Sequence, residues 1–341
     1  MSRRVRVLVV DDSAFARKVV RESLTRSPKI QVVDVARDGL EAVEKIAALR
    51  PDVVTLDLVM PNLDGLGVLR AIGAQPDPPR VVLVSMSDAT SDLALDALAL
   101  GAVDLVHKPT ALASDRLYQM ADQLIAVVLA AAGARAPSRA VAPVRSIAGP
   151  TAPRARLLVI GASTGGPQAL TRLVAALPGD LAVPVAVVLH LPAEYTQAFA
   201  RRLDEAAALA VVEAEDGMSL DPGRVVIARG GIHLVVNRRG EQLVAHLDHS
   251  PSTSPHRPSV DVLFESAARA AGGALVGVVL TGMGSDGVIG ARAIRAGGGA
   301  VLGEAESSCV VYGMPRAVRE AGLSDAEAPI DEMSALILSR L

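Results

Sequence analysis

Ser163, His190 and Asp286 stand far apart in the chain, yet each follows an apolar run of strand length. Ser163 lies in "LLVIGASTGGPQAL", where the run Leu157–Ile160 ends in a turn of small residues. A serine on a sharp strand-to-helix turn fits the G-x-S-x-G pattern of an exposed nucleophile. The same glycines, ahead of a helical pattern, also fit a loop that cradles phosphate. The next apolar run, Val185–Leu189, discriminates between the two. A dinucleotide site wants an acidic residue there to bind a ribose. This run ends instead in His190, the kind of general base a serine needs. A carboxylate completes such a set. Leu275–Leu280 runs into "TGMGSDG", where Asp286 can orient His190 while loop amides face an oxyanion. The order Ser, His, Asp is not that of α/β-hydrolases, so such a triad is recognised by geometry and not by membership of that fold.

A second constellation lies near the N-terminus. Asp11 and Asp12 end one apolar run, Asp57 ends another, Ser85 a third, and Lys108 a fourth, followed by Pro109. Three carboxylates converging on one point repel unless a cation joins them, and hard oxygens favour Mg²⁺ with open positions for water and phosphate. Asp11, Asp12 and Asp57 are the candidate ligands, and Ser85 and Lys108 would hold the remaining phosphate oxygens. The chemistry implied is phosphoryl transfer onto an aspartate. The Lys108–Pro109 bond is a candidate cis peptide.

These residues need two scaffolds. In the first half, Arg6–Val10, Gln31–Ala36, Val53–Leu56, Arg80–Val84 and Asp104–His107 read as strands, alternating with helical patterns such as Ala14–Leu24 and Leu40–Leu49. In the second half, Leu157–Ile160, Val185–Leu189, Val225–Ala228 and Leu275–Leu280 are runs of buried-strand type. Ile232–Val236 and Gln242–His246 read as a hairpin joined across "NRRGE". The fold class is α/β. Two doubly wound domains are expected, a five-stranded parallel one followed by a mostly parallel one with an inserted β-hairpin. The crevice beyond the carboxyl ends of such sheets is where ligands bind. Residues 131–156, rich in Ala, Pro and Arg and free of acidic residues, read as a linker between a domain at 1–130 and another at 157–341.

Composition excludes several functions. A net charge of −3 gives no electrostatic case for nucleic acid, and 2% aromatics without Trp leave no platform for stacking bases. The lone Cys309 rules out an internal disulfide, suits a reducing compartment and reads as a small buried hydrophobe. The N-terminal apolar run is too short for a signal peptide or a membrane span, so a cytoplasmic protein without membrane insertion is expected. His233, His246, His249 and His256 fit no standard metal spacing; structural or substrate-contacting roles suit them better. On the residues alone, a phosphorylation-controlled hydrolase competes with a non-catalytic docking module and with a nucleotide-binding enzyme.

Both halves resemble known families. "VVDDSAFAR", "LDLVMPNLDG", "VLVSMSD" and "GAVDLVHKP" resemble response-regulator receiver domains. That likeness implies Asp57 as phosphoacceptor from a histidine kinase of the chemotaxis type, Asp11 and Asp12 with Mg²⁺, Ser85 as switch hydroxyl and Lys108 as phosphate contact. "VIGASTGGPQAL", "LHLPAEYTQAFARRLD", "GGIHLVV", "HRPSVDVLFESAA", "LTGMGSDG" and "SSCVVYGMPRAV" resemble the chemotaxis protein-glutamate methylesterase family, CheB. The resemblance implies hydrolysis of glutamyl methyl esters on methyl-accepting chemoreceptors, often with deamidation of receptor glutamines, and no cofactor for this half. It implies Ser163, His190 and Asp286 as the triad, with Thr164 and Met283 lining the site near the oxyanion. The chain departs from the family patterns at Val59, Leu105, Leu189, Leu191, Ser285 and "GEAESS", which points to a divergent receptor or a chemosensory-like pathway outside chemotaxis.

Overall fold

The computed structural model describes residues 3–85, 91–108, 114–133, 155–250 and 254–341. The chain divides into two compact units between Ala134 and Arg135. Pro109 and most of the expected linker lie outside the described residues.

The first unit alternates strands and helices in the order β1 Val5–Val10, α1 Ala14–Thr25, β2 Ile30–Ala36, α2 Gly39–Leu49, β3 Val53–Leu56, α3 Gly65–Gly73, β4 Arg80–Ser85, α4 Ser91–Ala99, β5 Asp104–His107 and α5 Ser114–Gly133. The strands form one parallel sheet, β2-β1-β3-β4-β5. Helix α5 runs through Gly133, and Ala131 in it is fully buried. Ser13, Asp38 and Asp64 cap α1, α2 and α3 by accepting from the amides of Ala16, Glu41 and Gly67. Such caps satisfy amide donors that the helix cannot pair and contribute about 1 kcal/mol each.

The second unit runs β6 Leu157–Ala162, α6 Gly166–Ala175, β7 Val185–Leu189, α7 Ala193–Ala206, β8 Ala210–Glu213, β9 Arg224–Ile227, β10 His233–Arg239, β11 Gln242–Asp248, α8 Val260–Ala271, β12 Leu275–Val279, α9 Val288–Ala296, β13 Ala300–Glu304, α10 Met314–Glu320, β14 Ala326–Ala328 and α11 Ile330–Leu338. Seven strands form a parallel sheet, β14-β13-β12-β6-β7-β9-β8, and β6, β7 and β12 are buried along their whole length. Helices on both faces account for that burial. The hairpin β10–β11 is a separate antiparallel sheet. Its Leu234, Val236 and Ala245 share a core with Leu263, Phe264 and Ala267 of α8, and Ser266 Oγ accepts the Val236 N–H.

Both sheets reverse winding direction beside their first strand, between β1 and β3 in one and between β6 and β12 in the other. The crevice of such a sheet opens there. Three strands have no counterpart in the sequence reading. β8 is an edge strand with an exposed start, β14 is three residues long, and β13 ends in Gly303 and a wholly buried Glu304, which breaks the apolar signature. The hairpin strands are also longer than expected, because Asn237, Arg238 and Arg239 continue the ladder although they face solvent.

Candidate functional site

In the first unit, Asp57 follows β3 and its N–H donates to Val10 O at the end of β1 (3.0 Å), which sets it beside Asp11. Carboxylate oxygens of Asp11, Asp12 and Asp57 lie within 4.8 Å of one another; Asp11 and Asp57 are buried and Asp12 is exposed. Lys108, after β5, donates its N–H to Ser85 O (2.8 Å), which ties it to the buried Ser85 at the end of β4. Its Nζ reaches Asp11 Oδ2 (2.5 Å) and Asp57 Oδ2 (2.9 Å). Burial pushes the Asp57 carboxyl up from its ordinary range, Lys108 opposes the shift, and Asp11 adds to it. One ammonium does not balance three carboxylates. Hard oxygens with surplus negative charge suit a hard divalent cation. Among the described residues the histidines form no comparable grouping.

In the second unit, the three sequence-predicted residues follow three adjacent strands. Ser163 leaves β6, and its N–H donates to Thr281 O (3.0 Å) in the loop that leaves β12. His190 leaves β7, and its N–H donates to Ala162 O (3.1 Å). The turn between Ser163 and α6 requires glycine: Gly165 has φ +78°, and a Cβ there would sit 2.5 Å from Val310 Cβ. A Cβ on Gly282 would lie 2.8 Å from that of Ser163, so the aspartate loop packs directly against the serine. Thr281 is held from both sides. Its Oγ1 donates to Thr164 O (2.9 Å), and its N–H donates to Glu304 Oε2 (2.8 Å). Burial pushes the Glu304 carboxyl up.

His190 Nε2 lies 2.8 Å from Asp286 Oδ2. A carboxylate only accepts, so Nε2 carries the proton and Nδ1 is left as the ring's acceptor. Nδ1 is buried without a hydrogen-bond partner. The structure therefore joins His190 to Asp286 and brings Ser163 to the neighbouring strand end, but no hydrogen bond joins Ser163 to the imidazole. Asp286 is only 7% exposed and accepts from His190, from Ser259 Oγ (2.9 Å) and from the N–H groups of Val260 (2.8 Å) and Asp261 (2.9 Å). Burial raises its pKa, but His190 and the amide donors at the start of α8 outweigh burial and hold the carboxyl well below its ordinary range.

A match to CheB methylesterase covers residues 158–337, more than half of the chain. The chain belongs to the CheB methylesterase family. A match to the response regulator receiver domain covers residues 7–122. The chain is 58% identical over 337 residues to protein-glutamate methylesterase/protein-glutamine glutaminase 5 of Myxococcus xanthus, covering 98% of this chain and 97% of that one. It is 44% identical to the protein of the same name, without the numeral, from Geobacillus kaustophilus, with 98% of each chain covered. The crystal structure of the Thermotoga maritima CheB methylesterase catalytic domain superposes with a TM-score of 0.54 at 37% identity, covering 55% of this chain and 99% of that one. The second unit is thus a CheB catalytic fold, preceded by a receiver.

The segment "HRPSVD", legible in the sequence only as a family likeness, has a place at the site. His256 stacks on His190, with ring centroids 4.2 Å apart. Ser259 and the next two amides bind Asp286. The Asp261 carboxylate accepts from Gly287 (2.9 Å) and Gly290 (2.8 Å) at the start of α9. The one available signal was a serine N-cap ahead of an amphipathic helix, which marks a helix start and no chemistry. Leu189 and Leu191 are buried, and a Cβ on Gly166 would press on Leu189 Cδ1, so Leu189 is packing beneath the site. Ser285 and Val59 are exposed, and Leu105 is buried. Met283 is half-buried in the aspartate loop, and Thr164 is 2% exposed. His246 pairs at the surface with Asp216 (2.6 Å), while His233 is buried with neither ring nitrogen bonded. Cys309 is buried, and burial pushes its thiol far up, so it is inert at neutral pH. Among the described residues no helix is long and apolar enough to cross a membrane.

Proposed function

We propose that the chain hydrolyses glutamyl methyl esters on the cytoplasmic signalling helices of chemoreceptors, and deamidates receptor glutamines, under control of phosphate on Asp57. The observation that carries this reading is the His190–Asp286 pair, whose Nδ1 is a buried acceptor at the strand end next to Ser163. Ser163 Oγ attacks the ester carbonyl carbon while its proton passes to His190 Nδ1. The imidazolium, stabilised by Asp286, protonates the departing methoxide and methanol leaves. Water, deprotonated by the same nitrogen, cleaves the acyl-serine, and a glutamate carboxylate is released. With a glutamine substrate the leaving group is ammonia. The hydrogen bond from Ser163 to His190 that this scheme needs is roughly 2.6–3.2 Å long. Backbone amides near Thr164 and Met283 serve the oxyanion in this scheme.

In the receiver, Mg²⁺ held by Asp11, Asp12 and Asp57 would neutralise charge as phosphate arrives from a histidine kinase. Lys108 and Ser85 hold the phosphoryl oxygens there. The test is methanol release from membranes bearing a methyl-esterified chemoreceptor, with and without a small-molecule phosphoryl donor. Wild type responds to the donor. Ser163→Ala loses at least about a thousandfold of the rate. Undiminished release from Ser163→Ala would refute the serine mechanism.

A further inference from the structure

His256 is left without a role by the chemistry above, yet it touches the centre of it. Its ring lies 4.2 Å from that of His190, centroid to centroid, and 16° from parallel. That is a packed face, slightly closer than the roughly 4.5–7 Å at which aromatic pairs usually gain energy beyond burial. The His256 N–H donates to Ser254 Oγ (3.2 Å), and the carbonyl of Arg257 accepts from Gly231 N–H (3.0 Å), so the loop is pinned on both sides of the ring. Three residues further on, Ser259 Oγ donates to Asp286. One short segment therefore grips both members of the His190–Asp286 pair.

His190 has one tether within its ring plane, the bond from Nε2 to Asp286. A single hydrogen bond fixes an edge but leaves the ring free to rock about it. A stacked face removes that freedom and keeps water off one side of the imidazole. The stacking partner must stay neutral, because two facing imidazolium rings would repel. Burial, and after it the neighbouring His190, lower the His256 pKa, which favours the neutral ring.

We propose that His256 is a positioning residue: its stacked ring fixes the plane of His190 so that Nδ1 is presented to the Ser163 hydroxyl. The kinetic consequence rests on the esterase reading; the ring geometry does not. The test uses the full-length chain with two readouts. On membranes bearing a methyl-esterified chemoreceptor, His256→Ala is expected to lower kcat by about tenfold with KM within about twofold. His256→Phe, which keeps an aromatic face, is expected to restore kcat to within about twofold of wild type. By proton NMR, the downfield His190 Nε2–H signal is expected in wild type and in His256→Phe, and broadened by water exchange in His256→Ala. If His256→Ala does not fold, His256→Leu takes its place with the same expectation. Wild-type turnover and an unaltered signal in the variant without a ring would overturn the proposal. So would a His256→Phe variant as slow as His256→Ala. The last criterion applies only where wild type turns over; if wild type itself releases no methanol while the signal still follows the ring, the esterase reading fails and this one stands.

Discussion

Asp57 and Asp286 are both buried aspartates beyond the carboxyl ends of parallel strands, and their surroundings drive them in opposite directions. Both oxygens of Asp286 are occupied, Oδ1 by Ser259 Oγ and Asp261 N–H, Oδ2 by Val260 N–H and His190. With four donors aimed at it, the group stays ionised despite burial and has no lone pair directed at a substrate. Burial and the adjoining Asp11 hold the Asp57 carboxyl up, and its two donors, Lys108 and Leu58 N–H, do not outweigh them. A carboxylate short of donors and crowded by like charge gains from receiving a cation and a phosphoryl group. A saturated one can only orient. The number of donors facing each group, more than its place in the fold, separates a reactive aspartate from a supporting one.

The largest expected effect tests that contrast at Asp286. Asn in its place keeps the shape but removes the charge that stabilises the imidazolium, and it offers N–H groups to partners that are themselves donors. Asp286→Asn is expected to lower kcat about 10³–10⁴-fold in the methanol-release assay, as charge loss at a triad aspartate does. A fall of less than tenfold would mean that saturation by donors is structural only. The companion change, Asp57→Asn, is expected to leave the resting rate within about twofold and abolish the response to a phosphoryl donor. It should also raise the melting temperature at pH 7, because burial disfavours the ionised form that Asn replaces. Chelating divalent cations should mimic the first consequence, cancelling the donor response and sparing the resting rate. A resting rate that collapses with the chelator would place a cation in the second site and break the comparison.

The parts of this arrangement visible in the sequence are those that lie along one strand. Buried parallel strands read as unbroken apolar runs, so the residue that ends each run is marked. Asp11, Asp57 and His190 are marked in that way, and Ser163 by the turn of small residues that follows its run. Asp286 was found less directly, since six residues separate it from the end of β12 and only the glycine-rich loop drew attention to it. What the sequence did not disclose is whatever one strand end borrows from elsewhere. The stack of His256 on His190 and the clasp of Ser259 on Asp286 join residues that no periodicity connects. Glu304 hid β13 because a buried carboxylate is legible only when its partner, the Thr281 amide, is known. The end of β10 is not legible as strand because Asn237, Arg238 and Arg239 all face solvent and carry no alternation.

The smallest expected effect sharpens the contrast within the second site itself, between Asp286 and its neighbour Asp261. Burial and the adjacent Asp286 raise the Asp261 carboxyl to about 6, against the two amide donors of Gly287 and Gly290 that lower it. The sign follows from linkage. Between the unfolded value, near 4, and about 6, the folded state binds more protons than the unfolded one, so stability falls as pH rises through that window. Asp286 contributes the reverse: its stabilisation is present above the unfolded value and is lost as pH falls towards its depressed folded value. Asp261→Asn keeps an oxygen for both glycine amides and removes only the charge. It is expected to stabilise the second unit at pH 7 by on the order of 1 kcal/mol, after allowance for solvent screening of a part-exposed group, and by nothing at pH 4. Thermal melts of wild type and variant at the two pH values measure the difference, expected as a shift of roughly 2–4 °C at pH 7 alone. An equal shift at both pH values would mean that packing or hydrogen bonding had changed instead. No shift at either would mean that Asp261 remains ionised at no cost, and that the amides at the start of α9 saturate it as fully as the start of α8 saturates Asp286.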